Sequence, residues 1–229
     1  MKREIRTTAD GSVTIHIPEW NEQYHSMHGA INEAQHVFIQ MGLSFLIASE
    51  TIAPAPISIL EIGFGTGLNA FLTALYAETN AQHIHYTGVE AYPVQETEIA
   101  QLNYTELLNA SPELFQQLHS VPWGEAVAVS TNFTLHKRQQ FFSEINDRSA
   151  YHLIYFDAFG ARVQPELWTQ PIFQSMYEAL QPGGVLVTYS AKGSVRRAMQ
   201  VVGFEVERLP GPPGKREMLR GIKVVSGEK

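Results

Sequence analysis

The stretch ILEIGFGTGLNAF, residues 59–71, restricts the fold more than any other part of the chain. An apolar run ends in Gly63, Gly65 and Gly67, and a helical pattern follows at once. A strand that ends in glycines and opens a helix puts bare backbone, and the free N–H groups of a helix N-terminus, where a ligand must come close. The competing reading is a tight strand-to-helix turn that needs its glycines only for packing.

The same alternation continues along the chain. ISILEIGF, IHYTGVE, NFTLHK, LIYFDAF and GGVLVTYS read as compact strands. LNAFLTALYAE and QETEIAQLNYTELL are helical candidates between the first three, and EIND and PIFQSMYEALQ between the last two. Strands covered by helices on both faces read as such unbroken apolar runs, so the pattern predicts an open, mostly parallel, Rossmann-like α/β sheet. After the fifth run, SVRRAMQVVG is a short helix, and FEVERL and EMLRGIKVV flank the turn PGPPGKR. This predicts a C-terminal antiparallel hairpin that brings the sheet to seven strands. Upstream, EIRTTADGSVTIHI reads as a hairpin about Asp10-Gly11. In AINEAQHVFIQMGLSFLIASE, Ile31, Ala34, Phe38, Met41 and Phe45 recur at helical spacing until Pro54 and Pro56 intervene. The division expected is an N-terminal hairpin-and-helix extension over 1–53 and a main domain over 54–229.

With 229 residues, 44% of them hydrophobic, the chain can bury one large core with a small appendage. It contains no cysteine, which excludes disulfides, thiol catalysis and thiolate-bound metal and fits a reducing cytoplasm. The first residues lack the apolar core of a secretory signal, and no run approaches the ~18 apolar residues of a membrane span. The expectation is a cytoplasmic protein with no membrane partner. His83 and His85 share a strand face, but no third ligand stands at metal spacing, so no metal is expected. Net charge is −7, yet nine of the sixteen Lys and Arg fall from Lys192 onward, a locally basic tail.

Three acids frame a site around the glycines. Their G-x-G-x-G spacing departs from the G-x-G-x-x-G of dinucleotide folds and disfavours a pyrophosphate. Glu61, two residues before Gly63, is placed to accept from an ammonium group; the ligand that joins an ammonium to a nucleoside is S-adenosyl-L-methionine. Glu90 ends the second strand, where an acid binds ribose hydroxyls with its two oxygens. Asp157 ends the strand LIYFDAF, at the edge where open α/β sheets hold ligands. A solvated Glu90 and an Asp157 that caps a turn are the plain alternatives.

In this order, EIGFGTGLN, VEAYP, YFDAFGARVQPELWTQPIF, LQPGGVLVTYSAKGSVRRAMQVVGF and GKREMLRGIK resemble the methyltransferase half of the tRNA 5-methylaminomethyl-2-thiouridine biosynthesis proteins, the MnmD family. With YHSMHGAINEAQHVF, the similarity spans residues 20–223. The resemblance implies a class I S-adenosyl-L-methionine-dependent enzyme that methylates an aminomethyl group on the wobble uridine of certain tRNAs. It implies Asp157 as the residue that orients the amine and accepts its proton, and a loop from Ala158 to Pro165 that closes over the base. Phe159 and Trp168 are candidates to stack on an unstacked uridine, with core packing as the alternative for each. Tyr24 and Glu33 are candidates to reach the methyl pocket, against a surface turn and a polar helix face. Arg196, Arg197, Lys215, Arg216 and Arg220 are candidate phosphate contacts to the anticodon region, against an ordinary solvated face.

Two positions depart from the family pattern. The loop carries Gly160-Ala161-Arg162 where a proline is common, and LHKRQQF offers Lys137 and Arg138 where many relatives place an acid for the adenine amine. The bifunctional relatives continue into a flavin-dependent oxidase, whereas this chain ends at Lys229, so neither FAD nor an oxidase domain is expected. The alternatives kept are a methyltransferase for a small amine or a protein, and a nucleotide-binding module without catalysis.

Overall fold

The computed structural model describes residues 2–49 and 56–224. The chain begins with a three-stranded antiparallel sheet, β1 (Glu4–Thr7), β2 (Val13–Ile17) and β3 (Glu22–Gln23). The third strand goes beyond the expected hairpin. The Asp10 carboxylate closes the turn by accepting from Thr8 Oγ1, Ser12 N and, across the chain, Asn32 N. That last bond satisfies an otherwise free N–H in the first turn of the next helix.

That helix, α1 (Ala30–Ala34), runs through a π-helical stretch, Gln35–Ser44, into α2 (Phe45–Ala48). Of the expected stripe, Ala34 and Phe38 are buried while Ile31, Met41 and Phe45 are half-buried, and Val37, Ile39, Leu43 and Leu46 complete the buried face. A π-helix bonds i to i+5 and takes more residues per turn, so the apolar stripe drifts from its α-helical spacing. Gly42 lets this helix lie directly on the central sheet, since a Cβ there would sit 3.0 Å from Val187.

The central sheet is built from β4 (Ile57–Ile62), β5 (Ile84–Glu90), β6 (Ala126–Ala128), β7 (Phe133–Gln139), β8 (Tyr151–Phe156), β9 (Leu180–Thr188), β10 (Phe204–Pro210) and β11 (Glu217–Lys223). Its order is β10-β11-β9-β8-β4-β5-β7-β6, parallel from β9 through β7, with the terminal hairpin inserted antiparallel on β9. β4 and β8 are buried on both faces, which is why their sequences do not alternate. The sheet has one strand more than the seven expected. β6 pairs only with β7 at the exposed edge, and Ala-Val-Ala buries too little to read as a strand.

The helices are α3 (Leu68–Thr79), α4 (Glu96–Ile99), α5 (Tyr104–Leu107), α6 (Pro112–Ser120), α7 (Gln170–Ala179) and α8 (Gly193–Val201). The expected helix over QETEIAQLNYTELL is two short ones. Between them Asn103 turns its side chain to Val13 N and Gly11 O, anchoring the N-terminal sheet. α6 was not foreseen, although Ser111 accepts from Leu114 N and Pro112 takes the first position, a standard helix start. EIND contributes no α-helix; only its Glu144 joins a single 3-10 turn, Phe142–Glu144.

Two apolar clusters cover the two sheet faces, and the one that holds Leu43, Leu46, Phe71, Tyr86 and Tyr155 takes in the N-terminal helix. The expected boundary at residues 53 and 54, and Pro54, lie outside the described residues. Among the described residues no helix is long and apolar enough to cross a membrane.

Candidate active site

A cavity of about 630 Å³ opens at the carboxyl ends of the parallel strands, where strand order reverses about β4. This is the crevice in which open α/β sheets take ligands. Its floor is Gly63 and Gly65 after β4, Glu90 at the end of β5, Asp157 after β8 and Tyr189 after β9, and its roof is the segment from Trp20 to His28.

Gly63 has φ +93°, and a Cβ there would sit 2.7 Å from the Asp157 carbonyl oxygen. Only glycine lets β4 and β8 end this close together. Asp157 N donates to Ile62 O at 2.9 Å, which completes the junction. Glu90 accepts from Gly65 N at 3.1 Å and from Tyr92 N at 3.0 Å, so its carboxylate is fixed on the wall with lone pairs left for further donors.

Glu61 lies one layer beneath, fully buried, with the Tyr86 hydroxyl and Asn69 amide near its carboxyl but no hydrogen bond of full geometry to either oxygen. Burial, then the nearby Asp157 charge, holds its carboxyl well above the usual range. A buried, incompletely bonded carboxyl under bare backbone is the feature a cationic, nucleoside-bearing ligand needs, so the residues fit S-adenosyl-L-methionine.

Asp157 Oδ2 accepts from Asn69 Nδ2 at 2.8 Å. Burial, then the charge of Glu33, pushes the Asp157 carboxyl up to about 7, against the opposing Asn69 bond and Lys215 charge. Glu33 is not on a polar helix face: it is buried, lines the cavity, accepts from Ser26 N at 2.8 Å and pairs with Lys215. Lys215 therefore faces inward, with its ammonium 3.9 Å from the centre of the Tyr189 ring, instead of presenting charge to solvent.

The loop after Asp157 is held from three sides. Tyr189 Oη donates to Ala158 O at 2.8 Å, Trp168 Nε1 to Phe159 O at 2.7 Å, and Arg162 Nη2 to Trp20 O and Asn21 O at 3.1 and 2.9 Å. Trp168 is packed against Phe156 and Phe173 and has no free face for a base; the indole holds the loop from below. Phe159 does line the cavity, edge-on to Tyr24 at 4.9 Å and to Trp20 at 5.4 Å.

Of the residues singled out from sequence, Gly63, Gly65, Glu90, Asp157, Tyr24, Glu33, Phe159 and Lys215 thus share one cavity. Gly67 caps the start of α3; Arg197 and Arg216 are exposed and Arg196 half-buried, and none of the three lines the cavity. Arg220 is buried, paired with Glu207 and stacked on Phe45 at 3.3 Å, so its work is structural. Asn69, Tyr189 and His25 escaped sequence reasoning. His25 joins Thr14 to Thr66 of the glycine turn, and burial lowers it to about 4, so it is neutral there. Among the described residues no group of three or more acids or histidines is placed to hold a metal ion.

A family model described as S-adenosyl-L-methionine-dependent methyltransferase matches residues 95–224. The tRNA 5-methylaminomethyl-2-thiouridine biosynthesis bifunctional protein MnmC of Burkholderia mallei is 28% identical over 242 residues, covering 93% of this chain and 34% of that protein. The Cupriavidus necator protein of the same name is 29% identical over 214 residues, covering 88% of this chain and 32% of its own length. The chain spans about a third of these curated relatives. Among solved structures, MNMC2 from Aquifex aeolicus superposes with a TM-score of 0.75 at 26% identity, covering 96% of this chain and 69% of that one. Spermidine synthase from Thermotoga maritima, at 0.57 and 14% identity, covering 96% of this chain and 68% of that one, shares the fold.

Proposed function

The chain belongs to the S-adenosyl-L-methionine-dependent methyltransferases, and from that premise we propose that it methylates the aminomethyl group of 5-aminomethyl-2-thiouridine at a tRNA wobble position. The product is the 5-methylaminomethyl nucleoside. The observation that carries the substrate assignment is the likeness, over 93% of the chain, to proteins named for the biosynthesis of that nucleoside.

When bound, S-adenosyl-L-methionine supplies an electrophilic methyl group on a sulfonium. Glu61 provides the counter-charge for its ammonium from beneath the floor, Gly63 and Gly65 let the ligand touch backbone, with Gly67 opening α3 behind them, and Glu90 takes the ribose hydroxyls. Asp157 does the work on the acceptor. An aliphatic ammonium has no lone pair, so the amine must give up a proton before the nitrogen can form its bond to carbon. A carboxyl at about 7 accepts a proton at neutral pH and is dry enough to hold the amine in line. Methylation leaves a secondary ammonium, which stays charged at neutral pH, and Asp157 returns the proton it accepted to solvent.

Phe159, flanked by Tyr24 and Trp20, gives an aromatic edge for the uridine. Glu33 and Lys215 line the substrate half of the same cavity. Arg196, Arg197 and Arg216 meet phosphates of the anticodon arm, and a tRNA substrate calls for a reaction inside the cell. The division proposed is a catalytic unit over 54–229 and an extension over 1–53, which contributes the roof segment Trp20 to His28 and a helix packed on the central sheet. Deleting the gene tests the assignment: tRNA nucleosides should lose the methylaminomethyl form and gain the aminomethyl precursor. An unchanged nucleoside profile refutes it, and transfer to free amines or protein in the absence of tRNA would redirect it.

A further inference from the structure

On the far side of the glycine turn lies a second cavity, of about 570 Å³, and Gly65 borders both. Its walls include Phe64, Ile99, Phe115 and Trp123, and its polar groups include Lys137 and His119. Lys137 falls on the face of β7 that Phe133 and Leu135 bury, where the period of two calls for another apolar residue. It is 2% exposed, and its Nζ makes one hydrogen bond, to His119 O at 2.6 Å, and no ion pair among the described residues. The rings of Trp123 and Phe64 lie 5.0 and 5.8 Å from the ammonium.

Buried charges in proteins are paired. Here burial alone lowers Lys137 to about 8, with no neighbouring acid to hold it up, and it is still charged at pH 7. No described residue supplies the missing counter-charge, and the cavity has room for an organic anion that would. A polynucleotide phosphate does not reach an ammonium this covered. Glu96 also lines the cavity and disfavours a dianion.

We propose that this cavity is a binding site for a small organic monoanion, a carboxylate on a flat apolar body, with Lys137 meeting the carboxylate and Phe64, Phe115 and Trp123 enclosing the body. Phe64 and Gly65 belong to the turn that borders the cofactor cavity, so the occupant rests against the back of that turn.

The probe is 2-naphthoate, with uncharged 2-naphthamide as its isosteric control, each titrated calorimetrically into the protein with and without S-adenosylhomocysteine. The expected result is saturable one-to-one binding of naphthoate that S-adenosylhomocysteine does not block by competition, with naphthamide at least tenfold weaker. Lys137→Met should abolish the difference and Lys137→Arg retain it. Equal affinity for acid and amide, simple competition with S-adenosylhomocysteine, a Lys137→Met protein that binds naphthoate unchanged, or no saturable binding would each overturn the proposal. Should Lys137→Met not fold, the acid-to-amide comparison on the unaltered protein decides alone.

Discussion

Asp157 is held near 7 by burial and by Glu33, and this one property makes two predictions. If the carboxylate is the proton acceptor, kcat/KM rises with pH along a limb centred near 7, and Asp157→Asn lowers kcat by about 10²- to 10⁴-fold with cofactor affinity intact. The stability effect has the opposite sign. An unfolded Asp ionises near ~3.9, so between that value and about 7 the folded state keeps a proton that the unfolded chain has lost. Stability therefore falls as pH rises through this window, and Asp157→Asn should raise stability at pH 8 by on the order of 1–3 kcal/mol, read as a higher Tm. Glu61→Gln should likewise stabilise the ligand-free protein above neutrality and weaken S-adenosylhomocysteine binding at least tenfold by calorimetry, about 1.4 kcal/mol. Unaltered binding there would remove Glu61 from the cofactor's contacts. At this scale Glu90 and Asp157 were legible because a strand's end is visible in its own sequence. Asn69, His25 and the inward turn of Lys215 were not, because each depends on a partner far away in the chain: Asp157, Thr66 and Glu33.

The elements that cover the site are tied down by two arginines. Arg3 bonds Tyr92 O and Glu98, both at 2.9 Å, and Arg162 bonds the backbone at Trp20 and Asn21. The first clamps the N-terminal sheet to the segment after β5, the second to the loop after Asp157. Arg162 is largely exposed, so Arg162→Ala should cost under about 1 kcal/mol of stability. It should raise KM for the RNA several-fold while leaving cofactor affinity unchanged; an RNA KM equal to that of the unaltered protein would mean the loop keeps its place without the clamp. The departure Gly160-Ala161-Arg162, which in sequence was only a missing proline, thus has a visible role in holding the roof. Strands β4 and β8 and most of β5 and β9 were legible because burial on both faces leaves apolar runs, and β7 by its alternation. β6 and the divided helix between β5 and β7 were not, since edge pairing and the Asn103 side chain decide them. The π-helical stretch Gln35–Ser44 left no local mark either.

For the whole molecule, a net charge of −7 coexists with a locally basic C-terminal segment that includes α8 and the turn between β10 and β11. Lys192, Arg197 and Arg216 are exposed there, whereas Lys215 and Arg220 serve inside the fold. With so few free cations, log affinity for tRNA should fall with log salt with a slope of only about −2 to −4, and Arg197→Ala with Arg216→Ala should flatten that slope without altering the pH profile. A slope that survives the double substitution would put the RNA on another face. The central claim is that one cavity holds the methyl donor and an aminomethyl uridine together, with Asp157 between them. Its most direct test is to incubate the protein with methyl-labelled S-adenosyl-L-methionine and tRNA that carries 5-aminomethyl-2-thiouridine, then digest the RNA and weigh its nucleosides. The account predicts one labelled methyl on that nucleoside, none on tRNA lacking the aminomethyl group, and labelling slowed about 10²- to 10⁴-fold with Asp157→Asn. Label on any other nucleoside, or transfer at an undiminished rate by Asp157→Asn, would contradict it.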